Sequence, residues 1–324
     1  MELQTILDNL LSPVILAFLL GVIATLLKSD LKFPEELYLS LTIYLLTAIG
    51  LKGGYKLSLV PIFELYRPLS IAIMLGALIP VWSFVILRYL GNFDVPNAAA
   101  IAAHYGSVSA ATFSAAIAFL DAHHITYEGF MPGLLAVLEV PAILVAIVLA
   151  KLLDKSRKTG SLSEVMHELL TARSTILLVG CLMIGLLSGK NGWEQVSSFF
   201  DAPFHGVLML FLLEAGLVTG RRLSDLKRIG FFLIGFGILM PLLHAFLGLM
   251  AAKWSGLSMG GAMIFAVLMA SASYIAAPAT CRVALPQASP TYYLTASLAV
   301  TFPFNIIVGL PIYYELASWF YHAS

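Results

Sequence analysis

The stretch SASYIAAPATCR, residues 271–282, lies inside a long apolar run. Two serines one residue apart, a tyrosine, a proline and an arginine stand where a lipid-facing helix would carry leucine and valine. Such a helix gains nothing from Ser-x-Ser followed by a helix breaker. The surroundings set the solvent. The chain has 324 residues, 60% hydrophobic and 11% charged, with a mean hydropathy of +0.94. Soluble domains carry about 45–50% apolar and about 25% charged residues. The composition therefore places the chain in lipid. A formal net charge of zero removes the electrostatic case for a nucleic-acid partner. Cys181 and Cys281 both sit in apolar runs, and two such thiols read as small core residues rather than a disulfide or metal site. The opening residues MELQTILDNL are acidic rather than basic, so the first apolar segment reads as a retained span and not a removable signal.

A spanning helix needs about 20 mostly apolar residues. Windows of this kind occur at roughly 12–27, 35–51, 68–89, 97–120, 131–152, 174–189, 204–220, 229–252, 259–283 and 291–320. The sixth is short and the tenth long. Between the fifth and sixth, SLSEVMHELLTA (161–172) spaces Ser161 and Glu164 as a capping box, the mark of a short interfacial helix. Thirteen of the 18 basic residues fall in loops after odd-numbered windows and five (Lys52, Lys56, Arg67, Lys190, Lys253) after even-numbered ones. The basic side marks the cytoplasm. A multi-pass plasma (inner) membrane protein is expected, with both termini outside and the 153–173 connector inside.

Motifs recur in order along the chain. Gly50-Leu51-x-x-Gly54-x-x-Leu57 returns as Gly216-Leu217-x-x-Gly220-x-x-Leu223, and Gly76-x-Leu78-x-Pro80 as Gly237-x-Leu239-x-Pro241. Ser107-Val108-Ser109 returns as Ser271-Ala272-Ser273, the three offsets being 166, 161 and 164. Five helices per copy would invert the second copy in the membrane, an arrangement typical of secondary transporters. The expected fold is an all-α polytopic membrane protein: ten transmembrane helices in two inverted five-helix repeats, 1–152 and 174–324, joined by the 153–173 connector.

The Ser-x-Ser stretches then fall in the fourth and ninth helices. Gly106, the serines and Pro278 weaken helical continuity, so both helices are expected to be broken at mid-membrane. A broken helix presents backbone N–H groups at the start of its second half, which suit an anion. Tight helix packing through small residues is the alternative reading. Among acidic residues, Glu139 in LLAVLEVPAIL and Glu214 in LFLLEAGLV lie in spans, where a carboxylate points to function by default. Glu139 precedes Pro141 and suits Na⁺ or a proton, or a hydrogen bond to a neighbouring helix. Glu214 adjoins the repeated glycine motif, where packing between repeats is the simpler role. Asn305 follows Pro303 and could add a further oxygen to a coupling-ion site. His104 and His244 read more simply as packing residues than as proton carriers. No nucleophile–base pair, metal-ligand cluster or phosphate-cradling loop is apparent in the sequence, so neither an enzyme nor an ATP-driven pump is expected, and no cofactor beyond a possible sodium ion.

The stretches SPVILAFLLG (12–21), LLTAIGLKGG (45–54), YGSVSAATFSAA (105–116), VPAILVAIVLA (140–150) and ASASYIAAPATCRVALPQASP (270–290) resemble the sodium-dependent bicarbonate transporters first recognised in cyanobacteria. The resemblance runs through nearly the whole chain. It implies sodium–bicarbonate symport, a homotrimer and a substrate site between the two broken helices. Carried over, the site residues are Ser107, Ser109, Ala110, Ala111 and Thr112 in the fourth helix and Ser271, Ala272, Ser273, Tyr274 and Ile275 in the ninth. Two departures stand out. The cyanobacterial members carry an acidic residue where this chain has Tyr274, so a carboxylate able to serve a cation is replaced by a neutral phenol. The connector is also shorter than in relatives gated by a PII-like cytoplasmic regulator, and that partner is not assumed here. Carriers of a small organic carboxylate, coupled to protons or sodium, and a non-transporting anion sensor are the competing readings.

Overall fold

The structure, a computed structural model, describes residues 3–153 and 161–322. Every regular element among them is helical. A short α1 (Leu3–Leu10) precedes α2 (Pro13–Leu26), α3 (Glu35–Leu57) and α4 (Ile62–Val85). The next two windows each hold two helices: α5 (Val95–Gly106) with α6 (Ala110–Ala122), then α7 (Met131–Leu138) with α8 (Pro141–Leu153). After α9 (Leu162–Thr171) come α10 (Arg173–Phe200), α11 (Phe204–Arg222) and α12 (Leu226–Ser255). The chain closes with α13 (Met259–Ala270), α14 (Ala276–Ala284) and the run α15 (Pro290–Thr295), α16 (Phe302–Phe304) and α17 (Leu310–His322), joined by wide π-type turns. Among the described residues, six stretches are long and apolar enough to cross a membrane, and one of them, Phe204–Ser255, contains both α11 and α12.

The expected interfacial helix is present as α9, and its capping box forms: the Ser161 N–H donates to Glu164 Oε2 at 3.2 Å. The connector residues 154–160 lie outside the described residues. Two boundaries differ from expectation. α1 falls before the first window because Asp8 and Asn9 interrupt its apolar pattern. α10 runs eleven residues past Gly189, the end of the sixth window, because Gly189 takes a left-handed φ of 58° and restarts the helix through a polar segment.

The repeated glycine motif explains the tightest packing. α3 lies against α10 and α2 against α11. A Cβ on Gly54 would strike the carbonyl of Leu182, and one on Gly185 the carbonyl of Leu51. In the second pair a Cβ on Gly216 would strike the carbonyl of Phe18, and one on Gly21 that of Leu213. Backbones this close need small residues at the contact, as in membrane helix pairs generally. α2, α3, α10 and α11 thus form one knit group. α4, α5, α8, α12 and α13 pack around one another in another.

Prolines inside helices remove a donor and leave a carbonyl unpaired. Two such gaps are covered from distant elements. Pro241 frees the Gly237 carbonyl, which accepts from Thr301 Oγ1 at 2.7 Å. The Ile306 and Ile307 carbonyls, a turn before Pro311, both accept from Asn9 Nδ2 at 3.0 Å, which docks α1 onto the last helix.

A single added methyl tests the glycine contacts. Gly54→Ala and Gly216→Ala should each cost about 1–3 kcal/mol through overpacking, seen as a lower unfolding temperature of the purified protein. Gly180→Ala, where nothing lies within 4 Å of the new atom, should be neutral or gain up to about 1 kcal/mol from helix propensity.

Candidate functional site between two broken helices

Both Ser-x-Ser stretches interrupt their helices. Ser107 (φ −90°, ψ 170°) and Ser109 (φ −118°, ψ 113°) are extended between α5 and α6. Ser271 (φ −78°, ψ 158°) opens the gap between α13 and α14. Pro278 is not in the gap. It is the third residue of α14, where a missing N–H costs nothing because the first turn has no intrahelical acceptor. The proline starts the second half-helix, and the serines carry the break.

The two extended segments cross and satisfy each other. The Ser273 N–H donates to the His104 carbonyl at 2.8 Å. The Ser109 N–H donates to Ser271 Oγ at 3.0 Å, and that hydroxyl donates to the Leu268 carbonyl at 3.0 Å. His104 and Leu268 are 164 residues apart, as are Ser109 and Ser273. One link is therefore direct, and its counterpart is relayed by the Ser271 hydroxyl. Irregular backbone at membrane depth survives only when buried in protein or lining a cavity, and here it is buried: Ser107, Ser109, Ser271 and Ser273 are all 4% exposed or less.

The serine hydroxyls also cap the half-helices. Ser109 Oγ accepts from the Thr112 N–H at 3.2 Å and from Thr112 Oγ1 at 3.0 Å. Ser273 Oγ accepts from the Ala277 N–H at 3.2 Å. Each helix start has four N–H groups without intrahelical partners. In α6 the cap and the crossing use those of Thr112 and Ser109, which leaves Ala110 and Ala111. In α14 the cap uses Ala277 and Pro278 has none to offer, which leaves Ile275 and Ala276. The residues that carry these four N–H groups line the two cavities between the helix ends, and each end carries about half a positive charge.

These donors border two small cavities of about 10 Å³ each, the size that holds one water molecule. Ser109, Ala110, Ser273, Tyr274 and Ile275 line the first, together with Glu139, Ser174 and Leu46. Ala110, Ala111 and Ile275 line the second with Thr42 and Phe211. Thr112, Ser271 and Ala272 sit behind this surface and build its frame. So does Ser107, whose hydroxyl makes a long 3.4 Å bond to the Glu139 carbonyl. Tyr274 is packed edge-on against Phe302, its ring 5.3 Å away, and its hydroxyl lies near the Ser109 side chain without a well-formed hydrogen bond.

Glu139 ends α7 in the gap before Pro141, and its Oε2 accepts from Thr175 Oγ1 at 3.0 Å. It joins the broken helices to the start of α10. Asn305 is engaged on both ends of its amide. Its Nδ2 donates to the Ala270 carbonyl at 3.0 Å, capping the end of α13, and its Oδ1 accepts from Tyr313 at 2.7 Å. Its visible work is to hold the break. Glu214 pairs with Arg221 at 3.1 Å, and His104 Nδ1 bonds the Ala100 carbonyl at 2.6 Å. His244 Nε2 accepts from Trp82 Nε1 at 2.9 Å. Both cysteines are free and buried. Ser174, Thr175 and Tyr313 escaped sequence reasoning. The pair Ser174-Thr175, two hydroxyls opening an apolar span, was the available signal.

A helical membrane protein in which discontinuous helices meet around a small enclosed cavity has the architecture of a secondary transporter. The chain belongs to the Na⁺-dependent bicarbonate transporter superfamily, whose family model matches residues 13–318. It is accordingly a transporter-family membrane protein and not an enzyme. A comparison with curated proteins gives no match.

The hydrogen bonds around the site predict opposite outcomes for two substitutions. Asn305→Leu strips the cap from Ala270 and strands the Tyr313 hydroxyl, at about 1–3 kcal/mol for each buried group left unpaired. Thermal unfolding should show a clear loss of stability. Tyr274→Phe removes a hydroxyl that makes no well-formed hydrogen bond, so its unfolding temperature should not fall.

Proposed function

We propose that the protein is a secondary active transporter that moves a small anion together with a cation, in the leading reading bicarbonate with sodium. The observation that carries this reading is the crossing of the two breaks, which leaves N–H donors of two helix ends beside two small cavities, one of which Glu139 also lines. Two ends of about half a charge each largely offset one negative charge, with no Lys or Arg in either segment before Arg282. Glu139 makes the site need a second ion. An anion beside an ionised carboxylate at low dielectric is strongly disfavoured, so a cation or a proton at Glu139 favours anion binding. By linkage the anion favours the cation equally. Glu139 with the neighbouring hydroxyls is the coupling-ion candidate. Asn305 would serve through its Oδ1 only alongside its bond to Tyr313.

The architecture supporting transport has ten crossings: α2, α3, α4, α5–α6, α7–α8, α10, α11, α12, α13–α14 and α15–α17. The halves 1–152 and 174–324 are inverted repeats on this reading. Exchanging α2 with α10 and α3 with α11 turns the α2–α11 pair into the α10–α3 pair, and both pairs use the same glycine spacing. The glycines extend the repeat, since Gly21 and Gly185 are 164 residues apart. The site lies between the two helix groups. Leu46 and Ser174 come from the knit group and the broken helices from outside it. In this conformation the cavity is too small for a polyatomic anion, so parting the groups on one side and then the other would give alternating access. The basic-residue bias supports a plasma membrane orientation with both termini outside and α9 inside. Assembly as a homotrimer rests on the family resemblance alone. Tyr274, where the cyanobacterial relatives carry an acid, keeps a small organic carboxylate and proton coupling as the second reading.

Uptake of labelled bicarbonate into proteoliposomes tests this directly. Uptake should rise with an inward sodium gradient. If it follows a proton gradient instead, or if acetate or formate displaces bicarbonate, the second reading stands. Ser109→Leu and Ser273→Leu should each abolish uptake by filling the cavity, while the protein still assembles. Normal uptake by both would remove the crossing from the mechanism. Glu139→Gln should flatten the dependence on the driving ion, and an unchanged ion dependence would exclude Glu139 from coupling.

A further inference from the structure

Two stacked rings close one side of the second inner cavity. Phe211 forms part of its wall, and so does Thr42. Tyr38 stands four residues before Thr42, one turn back along α3, and the Thr42 hydroxyl donates to the Tyr38 carbonyl at 2.9 Å. The Tyr38 ring lies on the Phe211 ring, with centroids 5.3 Å apart and planes 17° from parallel. Phe211 is buried, whereas Tyr38 is partly exposed. The stack therefore reaches from the cavity wall to the protein surface within one helical turn. Tyr38 also lies within electrostatic reach of Tyr274, on the wall of the first cavity, and of Glu214.

Beyond the rings the protein is polar again. Glu214 follows Phe211 by three residues, on the same face of α11. Its Oε1 accepts from Arg221 Nη2 at 3.1 Å, and its Oε2 is buried without a hydrogen-bond partner. The Arg221 side chain is half-exposed. An apolar layer one stack thick thus separates the hydroxyls and N–H groups of the cavity from an ion pair that touches solvent. The other end of α3 is built differently. There a cavity of about 560 Å³, whose wall includes Lys52, Lys56, Asp121 and Asp201, comes within three residues of the inner cavities, from Ile49 to Leu46. Two lysines balance two aspartates in that space, so their charges favour neither ion.

We infer that the stacked rings of Tyr38 and Phe211 are the cytoplasmic barrier of the inner site, the surface against which the broken helices close. The inference rests on the transport reading above and deepens it by naming what holds the site shut on one side. α3 begins and α11 ends on the side rich in Lys and Arg, which places both rings between the cavity and the cytoplasm. Both rings belong to the knit group, whereas Ala110, Ala111 and Ile275 on the facing wall belong to the broken helices. An apolar constriction keeps water and ions out, and a stacked pair makes a stiff one because each ring fixes the other. Moving the broken helices off the stack opens the cavity toward Glu214 and Arg221, and their return closes it. The seal is the ring of Tyr38 and not its hydroxyl.

Cysteine modification from each side of the membrane tests this. Ser114→Cys is nearly isosteric and puts a thiol in the wall of the second cavity. The parent chain, whose two cysteines are buried, and its Tyr38→Ala variant are the blanks. Inverted vesicles offer the cytoplasmic face to the impermeant trimethylammonium-ethyl methanethiosulfonate, and intact cells offer the outer face. Modification of the S114C protein from the cytoplasmic side should be slow. Adding Tyr38→Ala or Phe211→Ala should speed it about tenfold, because loss of the stacked pair removes bulk and favours the parted state. The rate from outside should not change. Tyr38→Phe keeps the ring and should keep the slow rate. Tyr38 is partly exposed, so Tyr38→Ala is the milder variant and decides the outcome if Phe211→Ala fails to fold. A cytoplasmic rate unchanged by Tyr38→Ala, an increase seen only from outside, or a Tyr38→Phe rate as fast as that of Tyr38→Ala overturns the inference. Modification needs no substrate, so the barrier and the transport reading fail separately. Flat rates, with Ser109→Leu and Ser273→Leu inactive in uptake, remove the barrier alone. Normal uptake by both leucine variants removes the transport reading, and the modification rates still decide the barrier.

Discussion

Hydrocarbon cannot satisfy a backbone N–H or C=O, and a helix interrupted inside a bilayer exposes several of each. The whole arrangement here follows from how two such interruptions meet. The Ser273 N–H reaches the His104 carbonyl, and the Ser109 N–H reaches Leu268 through the Ser271 hydroxyl. Each break thereby satisfies part of the other. Neither could exist alone at this depth without several unpaired groups, each costing about 1–3 kcal/mol. The serines are suited to both duties because a hydroxyl donates and accepts. Ser271 accepts from one backbone and donates to another, whereas Ser109 and Ser273 cap the helices that follow. What remains after this mutual pairing is four N–H groups, which is what an anion needs.

The surrounding fold keeps that crossing in place by the same rule. At three places where a proline or a helix end frees a carbonyl, a side chain from a distant part of the chain pairs with it. Thr301 reaches the carbonyl freed by Pro241, Asn305 reaches the end of α13, and Asn9 reaches the turn before Pro311. Tyr105 adds to the first of these through its 2.7 Å bond to Thr301. These bonds tie the broken helices to α12 and the last helix, while the glycine contacts tie α2, α3, α10 and α11 to each other. Glu139 joins the two sets through Thr175. On the proposed reading, a carboxylate at that junction would respond both to the occupancy of the cavity and to the separation of the groups.

Both helix breaks were legible in the sequence, because Ser-x-Ser beside glycine or proline is anomalous in an apolar run and occurred twice at matched offsets. Glu139 was legible for the same reason, as a carboxylate before a proline within a span. The glycine motif was visible as a repeat, but its partners Gly21 and Gly185 were not, since a single glycine in an apolar helix has no local signature. Asn305 was read as a spare oxygen, yet its amide holds the end of α13. That use depends on Ala270, 35 residues away, and no spacing rule connects the two. Ser174 and Thr175 were missed because their partner Glu139 lies across the connector. Lys52 and Lys56 counted only as loop charges until α3 and α6 placed them around one cavity.

The central claim is that the crossing of the two broken helices binds a small anion through backbone N–H groups. A high-resolution structure of the protein in lipid nanodiscs with saturating bicarbonate and sodium tests it most directly. The account predicts anion density bounded by Ser109, Ser273 and Tyr274, within hydrogen-bond distance of the N–H groups of Ala110, Ala111, Ile275 and Ala276, in a cavity wider than the one described here. Anion density elsewhere in the membrane interior, with the two breaks still closed on each other, would contradict it.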